Sequence, residues 1–315
     1  MGRKTSKIVL FYYTQTGQAL QIAQKVCEPL VNANNQVILK EIIPEEPYPF
    51  PWTSDAFLQV FPESRLGIPC KLKQIDLSDV QDADLVIIAG QSWYLSHSIP
   101  LHGFFQSEKI KTYLKDRKIL TIDGCRNMWV MKQLKTREYI HRIGACYVGS
   151  IVLQDMAPNL ISVITIARWL LQNKKEATCL LPAAGVSPSD INNATRFGEI
   201  VLNTLHTGTF KSLQKDLMEK EAIKFIPSLY FIEKNGFRLW GHWARFILKK
   251  TPSPGLQRKP YLLVFLYYLF FVLYFISPFG LLFFYLTYPF RSASLKRAGH
   301  KMCYELGWDT NHTIQ

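Results

Sequence analysis

The stretch that decides the fold runs from Lys7 to Ala19 and reads KIVLFYYTQTGQA. Its first half, Ile8 to Tyr13, is apolar and aromatic. Arg3, Lys4 and Lys7 precede it, but six residues are too few for a signal-peptide core, and polar Thr14-Gln15-Thr16 follow at once. The run therefore reads as a strand. Gly17 then opens an amphipathic pattern over Gln18–Val31, so the stretch is a strand–turn–helix junction. A phosphate placed at this turn meets free backbone N–H groups, the positive end of a helix dipole and the hydroxyls of Thr14 and Thr16. Gly17 lets the backbone approach closely. The turn holds no Lys or Arg and no G-x-G-x-x-G, so neither a P-loop nor a dinucleotide fingerprint is present.

Outward from this junction, short apolar runs alternate with helical patterns. Strands are predicted at Lys7–Tyr13, Gln36–Ile43, Ala83–Ala89, Lys118–Asp123 and Tyr147–Leu153, and most are near-continuously apolar, as parallel strands covered on both faces are. Helices are predicted at Gln18–Val31, Leu101–Leu114, Trp129–Ile143 and Ser189–His206. The alternation implies an α/β fold with a doubly wound, five-stranded parallel sheet of flavodoxin size. Two segments exceed that plan. Pro44–Leu77 is rich in proline and aromatics and is predicted to be an ordered connection, with a lid or substrate wall as the alternative. Asn159–Gln172 is apolar nearly all round and is expected to pack in the core.

The 315 residues carry 37 Lys and Arg against 24 Asp and Glu, net +13, with 48% hydrophobic residues. That composition excludes disorder, collagen and a disulfide scaffold. Six scattered cysteines without a C-x-x-C suit reduced thiols and offer no metal site. The charge is uneven: residues 1–210 are net +4, with 22 basic and 18 acidic residues, and residues 211–315 are net +9, with 15 and 6. The division expected is the α/β domain of flavodoxin size over 1–210, an amphipathic helical segment over 211–259, and an apolar hairpin with a basic tail over 260–315. In Gly236–Lys250 the residues Arg238, His242, Arg245 and Lys249 share one face opposite Trp and Phe, the pattern of an in-plane interfacial helix. Tyr261–Phe290 holds no charge and 14 aromatics in 30 residues, interrupted by Ser277-Pro278-Phe279-Gly280. Basic residues flank it on both sides, which favours both ends on the cytoplasmic side of the inner membrane and a helical hairpin over a single span. The partner expected of the basic excess is a membrane surface and not nucleic acid.

Two further loops join the first at the carboxyl ends of the strands: Gln91-Ser92-Trp93-Tyr94 after the third strand, and Asp123-Gly124-Cys125-Arg126-Asn127 after the fourth. The hexamer Thr14-Gln15-Thr16-Gly17-Gln18-Ala19 resembles the flavodoxin fingerprint and departs from it only at Ala19, which lacks a hydroxyl. Loops that bind phosphate without a cation suit flavin mononucleotide (FMN). The peptides Tyr12–Gln18, Pro49-Phe50-Pro51-Trp52, Phe61-Pro62-Glu63-Ser64, Gln91–Ser96, Gly124–Trp129 and Asn159-Leu160-Ile161-Ser162 resemble a narrower family. These are the flavodoxin-like proteins of dialkylresorcinol and flexirubin-type pigment biosynthesis, often labelled dialkylresorcinol condensing enzymes, and the resemblance covers roughly residues 5–250.

The resemblance implies an FMN-dependent aromatase that acts after a ketosynthase partner has joined two acyl chains into a dialkyl-cyclohexane-1,3-dione. The lipidic dione loses a hydride to the flavin and a proton to a base. His97 is the expected base, Tyr94 the group that orients a carbonyl and Arg126 the one that stabilises an enolate. His102 and Asp123 also fall near the expected flavin face, and Cys125 is placed to tune the flavin. Two alternatives stand beside this reading: a membrane-associated flavin quinone reductase or electron carrier, and a flavin-free membrane scaffold for the ketosynthase.

Overall fold

The computed structural model describes residues 5–307. Arg3 and Lys4 of the N-terminal basic cluster, and residues 308–315 of the basic tail, lie outside the described residues. Six strands form one sheet: β1 (Lys7–Tyr12), β2 (Gln36–Glu41), β3 (Leu85–Trp93), β4 (Ser96–His97), β5 (Lys118–Cys125) and β6 (Cys146–Gln154). Five of them are parallel in the order β2-β1-β3-β5-β6, and β4 folds back antiparallel onto the end of β3. Counting only the parallel strands this is the 2-1-3-4-5 order of the flavodoxin-like fold, with its switch point between the first and third strands. The alternation along β1 sends Ile8 and Leu10 to one face and Val9 and Phe11 to the other, and each face has its own buried apolar core.

The helices, in chain order, are α1 (Gln18–Asn32), α2 (Ser54–Gln59), α3 (Phe61–Leu66), α4 (Ile99–Gln106), α5 (Glu108–Leu114), α6 (Val130–Ile143), α7 (Asn159–Gln172), α8 (Pro188–Asn192), α9 (Thr195–Thr207), α10 (Leu213–Glu219), α11 (Pro227–Lys250), α12 (Lys259–Phe271) and α13 (Ser277–Tyr304). The predicted helices at 101–114 and 189–206 are each two. The first divides at Ser107, whose extended backbone ends one helix and starts the next. Charged 211–226 yields only the short α10.

The C-terminal third packs on the sheet domain. Phe237, Met302 and Cys303 share the core of Ile8, Leu10 and Ile122. A third cluster joins Leu58 and Phe61 to Ala244, Ile247, Leu262 and Phe265, with Phe61 and Phe265 stacked at 3.9 Å. The expected hairpin break at Ser277-Pro278-Phe279-Gly280 is absent: the backbone stays helical from Leu256 to Tyr304. Pro278 lacks an N–H and its ring crowds the carbonyl four residues earlier, that of Tyr274. One π-helical turn at Val272–Ile276 takes up this misfit, so the chain needs no turn. A buried arginine secures each end of this long helix. Arg258 donates to the carbonyls of Gln59, Thr251 and Pro252 and pairs with Glu63 at 2.8 Å. Arg137 donates to the carbonyls of Lys301 and Met302 at 3.3 and 2.8 Å, and Gln214 donates to that of Cys303 at 2.7 Å. These two side chains supply donors to carbonyls of the last helical turn, where the intrahelical ladder runs out.

Candidate functional site

The sheet brings the three predicted loops together at the carboxyl ends of β1, β3 and β5. Gly90 is in register with Asp123 and Gln91 with Gly124, so the second and third loops lie side by side. The Gln15 backbone N–H donates to Gln91 Oε1 at 3.3 Å and joins the first loop to the second. Gly17 caps α1 at φ 82°, a left-handed conformation, and a Cβ built there meets nothing within 4 Å. The first helical N–H that bonds back is Gln21, to Gly17 O at 3.0 Å. The donors ahead of it face the open side of the turn. Gly124 has a packing reason, since a Cβ there would come within 2.8 Å of Ile22 on α1.

Each loop also carries one buried oxygen with no hydrogen-bond partner in the protein: Thr14 Oγ1, Ser92 Oγ and Asn127 Oδ1. Buried polar atoms are almost always satisfied. Three unsatisfied oxygens, one per loop at the switch point, therefore fit a polar group that enters between the loops. The surroundings are otherwise well tied. Gln15 Nε2 donates to the carbonyls of Tyr48 and Pro49 at 3.2 and 2.7 Å, so the proline-rich connection closes over the first loop. Gln18 exchanges two hydrogen bonds with the backbone of Val186, at 3.0 and 3.1 Å. Trp93 stands edge-on to Tyr13, Tyr48 and Trp52, with ring centroids 5.1 to 5.8 Å away. Ala19 is buried, so its missing hydroxyl removes nothing from the site; only its backbone N–H can serve.

Several expected roles find no support in this geometry. His97 is only 2% exposed. The short β4 pairs Ser92 with His97 and turns its ring inward, against His102, Phe105 and Tyr139. Its Nε2 meets Thr136 Oγ1 at 3.1 Å. Burial, with Lys132 and other cations nearby, holds its pKa well below the ordinary value. A sealed imidazole that resists protonation is not a base for a substrate at the loops. His102 is likewise internal, between Tyr139 and Ser64, and burial brings it down to about 3. Tyr94 points away from the loops into the α2, α3 and α11 aromatics, and its hydroxyl donates to Phe57 O at 2.6 Å. Asp123 is buried in an ion pair with Lys132. The Cys125 thiol is buried, which raises its pKa and keeps it unreactive.

Arg126 stays at the site. Its Nη1 donates to Asn159 O, Asn159 Oδ1 and Ser162 Oγ at 2.7 to 3.0 Å, which ties the third loop to the start of α7. Its Nη2 meets only the Met128 sulfur, at 3.5 Å. Burial lowers its pKa to about 10, which leaves it a cation at neutral pH. Asn127 Nδ2 reaches Ser162 Oγ at 3.4 Å, and its buried Oδ1 has no hydrogen-bond partner among the described residues.

Two contributors had no sequence signal. Lys132, one turn into α6, neutralises Asp123 beneath the loops, and burial pulls its ammonium down to about 7. Glu233 reaches in from α11, only 1% exposed, and accepts from Met131 N at 2.8 Å. It thereby caps α6 from another helix where the third loop ends. Burial raises its carboxyl to about 7, against the lowering effect of the N–H groups of Met131, Val130 and Trp129 and of Arg126. No group of three or more His, Cys, Asp or Glu able to hold a metal occurs among the described residues. A surface groove lined by Gln24, Lys25, Glu28 and Val31 runs along α1 and β2, away from the loops.

The strand order defines the class of fold: a flavodoxin-like α/β sheet with three loops gathered at its switch point and an appended apolar helix. No protein-family model matches the chain, and no curated protein sequence is similar to it. Among solved structures, it is similar to a flavoprotein from Lactobacillus acidophilus NCFM in complex with FMN, at 15% identity over 47% of this chain and 93% of that one, TM-score 0.38. It is similar to the flavodoxin of Megasphaera elsdenii at 14% identity over 48% and 89%, TM-score 0.31. A flavodoxin from Streptococcus pneumoniae matches at 13% identity over 62% and 96%, TM-score 0.34.

Proposed function

We propose that this protein is an FMN-dependent oxidoreductase that aromatises a lipid-borne dialkyl-cyclohexane-1,3-dione to a dialkylresorcinol. The observation that carries the flavin part is the set of three unsatisfied buried oxygens on the three switch-point loops. On this reading the turn Thr14-Gln15-Thr16-Gly17-Gln18-Ala19 would hold the phosphate through backbone N–H groups and hydroxyls. Gln91, Ser92, Trp93, Gly124 and Asn127 would line the ring system. The sheet domain up to about residue 210 does the chemistry, and the C-terminal third attaches it to the cytoplasmic face of a membrane, where the basic flanks of the apolar helix favour it.

The conversion removes two hydrogens from the ring, one as a hydride and one as a proton. Bound FMN supplies the two-electron acceptor. The proton is the easier loss, because a 1,3-dione enolises readily and needs little help from a base. Arg126 is the cation at the loops, and its Nη2 has only a thioether beside it in the protein, which suits it to hold the enolate oxygen. His97 has no part in this scheme. A ketosynthase that joins two acyl chains makes such a dione, so the proposal includes that enzyme as partner. The test is FMN release from purified protein together with formation of a resorcinol from a synthetic dialkyl-cyclohexanedione. Protein free of FMN refutes the proposal. FMN without resorcinol formation leaves the electron-carrier alternative.

A further inference from the structure

Helix α7 is inverted relative to a helix that packs on a water-soluble core. Its buried residues are Ser162, Thr165 and Trp169, while its aliphatic side chains lie half-buried or outward, with Ile164 45% exposed. The polar inward face has a cause: Ser162 Oγ accepts from Arg126 and Asn127 of the third loop. On the outward side Ile164 is exposed and the other aliphatic side chains are only half-buried, and Met156 before the helix and Leu180 after it are exposed as well. The expectation that α7 packs in the core is met in full by Trp169 alone among its apolar side chains; the rest stay half-buried or, at Ile164, exposed.

The long C-terminal helix shows a second outward apolar surface, with Phe271, Phe275, Phe279, Leu282 and Phe283 all more than half exposed. Both its ends are fixed to the same globular body by Arg258 and Arg137, so in this structure its two ends lie on one side of any bilayer. Arg126 is bonded to the start of α7, and its loop is linked to the long helix through α11: Glu233 accepts from Met131 N just past that loop, and Phe231, two residues earlier, packs on Phe284 with ring centroids 5.4 Å apart. Lys174 just past α7, Lys234 and Arg238 on α11, and Lys296 and Arg297 on α13 are all exposed. Among the described residues none of these five has an ion-pair partner. An apolar ridge rimmed by uncompensated cations matches an anionic lipid surface.

We propose that one leaflet of an anionic phospholipid bilayer covers α7 and the long helix together, and that the corner at Arg126 opens into that leaflet. A substrate with apolar chains then reaches the flavin loops without leaving lipid. The entry route rests on the function proposed above, whereas the lipid contact of α7 does not. The full-length protein is floated with vesicles of mixed phosphatidylcholine and phosphatidylserine, and with phosphatidylcholine alone. Ile164→Glu on α7 and Phe279→Glu on the long helix are each expected to lower partitioning into the mixed vesicles roughly tenfold, about one buried apolar side chain's worth. Val31→Glu, an equally exposed site on α1, is expected to leave it unchanged. Ile164→Ser gives a smaller loss in the same direction and guards against misfolding by the charged variant. Wild-type partitioning by both Ile164 variants overturns the proposal, as does equal binding with and without phosphatidylserine. FMN content read on the same samples separates the two readings: an Ile164 effect in flavin-free protein defeats the function and upholds the lipid contact. Where FMN is bound, Ile164→Glu is expected to lose turnover of vesicle-borne dione and keep it for detergent-dispersed dione; equal loss in both overturns the entry route.

Discussion

Replacing Glu233 with Gln is expected to stabilise the protein by about 2 kcal/mol more at pH 8 than at pH 5.5. The carboxyl is buried, caps α6 in trans and has its pKa raised from 4.5 to about 7. The folded state therefore holds this proton more tightly than the unfolded chain. Between the two pKa values the folded form binds more protons, so the stability contribution is fully present below the unfolded pKa and is lost as pH rises through about 7. A shift of that size corresponds to about 3 kcal/mol at most. Gln keeps the acceptor for the Met131 N–H and cannot ionise, so it removes the loss. Glu233→Ala removes the acceptor too and is expected to be about 1–3 kcal/mol less stable than Glu233→Gln at both pH values, because a buried donor is left unsatisfied. Urea denaturation of wild type and both variants at pH 5.5 and pH 8 measures this, and the variant-minus-wild-type differences cancel other titrations. If Glu233→Gln gains nothing on wild type between pH 5.5 and pH 8, the carboxylate charge at the helix N-terminus outweighs its burial, and the reasoning is refuted.

Other outcomes follow from the same geometry. Gly17→Asp puts a carboxylate in the open space of the first loop and is expected to abolish FMN retention, while Gly17→Asn, which tolerates the left-handed backbone, is expected to keep most of it; visible absorbance and FMN released on heating read both. Arg137→Ala removes the buried donor to the Met302 carbonyl and is expected to fray the end of α13, seen as faster amide hydrogen exchange there and a loss of about 2 kcal/mol of stability. In a thiol titration of the native protein, exposed Cys146 and Cys179 are expected to react fast, and buried Cys27, Cys125 and Cys303 slowly; rapid modification of Cys125 contradicts its burial.

How much of the site was legible differed residue by residue. The loops were, because a strand that ends in a polar turn and a glycine dictates its own geometry, and a parallel sheet collects such turns at one edge. Side-chain direction within the loops was not. His97 and Tyr94 lie in one short loop, yet the return strand β4 and the left-handed backbone at Tyr94, φ 48°, send both away from the ligand side. Nothing in sequence spacing encodes that reversal. Glu233 is 102 residues from the N–H group it caps, so only the docking of α11 on α6 reveals it.

The sequence by itself determined the strand order's raw material, the position of the three loops, the chemistry of a phosphate-ready turn without a cation, and the apolar, basic-flanked character of the last third. These are local properties, set by period, composition and turn residues. Tertiary structure decided what local pattern leaves open. Pro278 forces a defect in the helix, but whether that defect is a turn or a π bulge depends on the anchors at Arg258 and Arg137, which fix both ends. How far the apolar face of α7 turns out depends on Ser162 being claimed by Arg126 and Asn127. In each case buried polar groups had to find partners far along the chain, and those partners set the direction of the apolar surfaces.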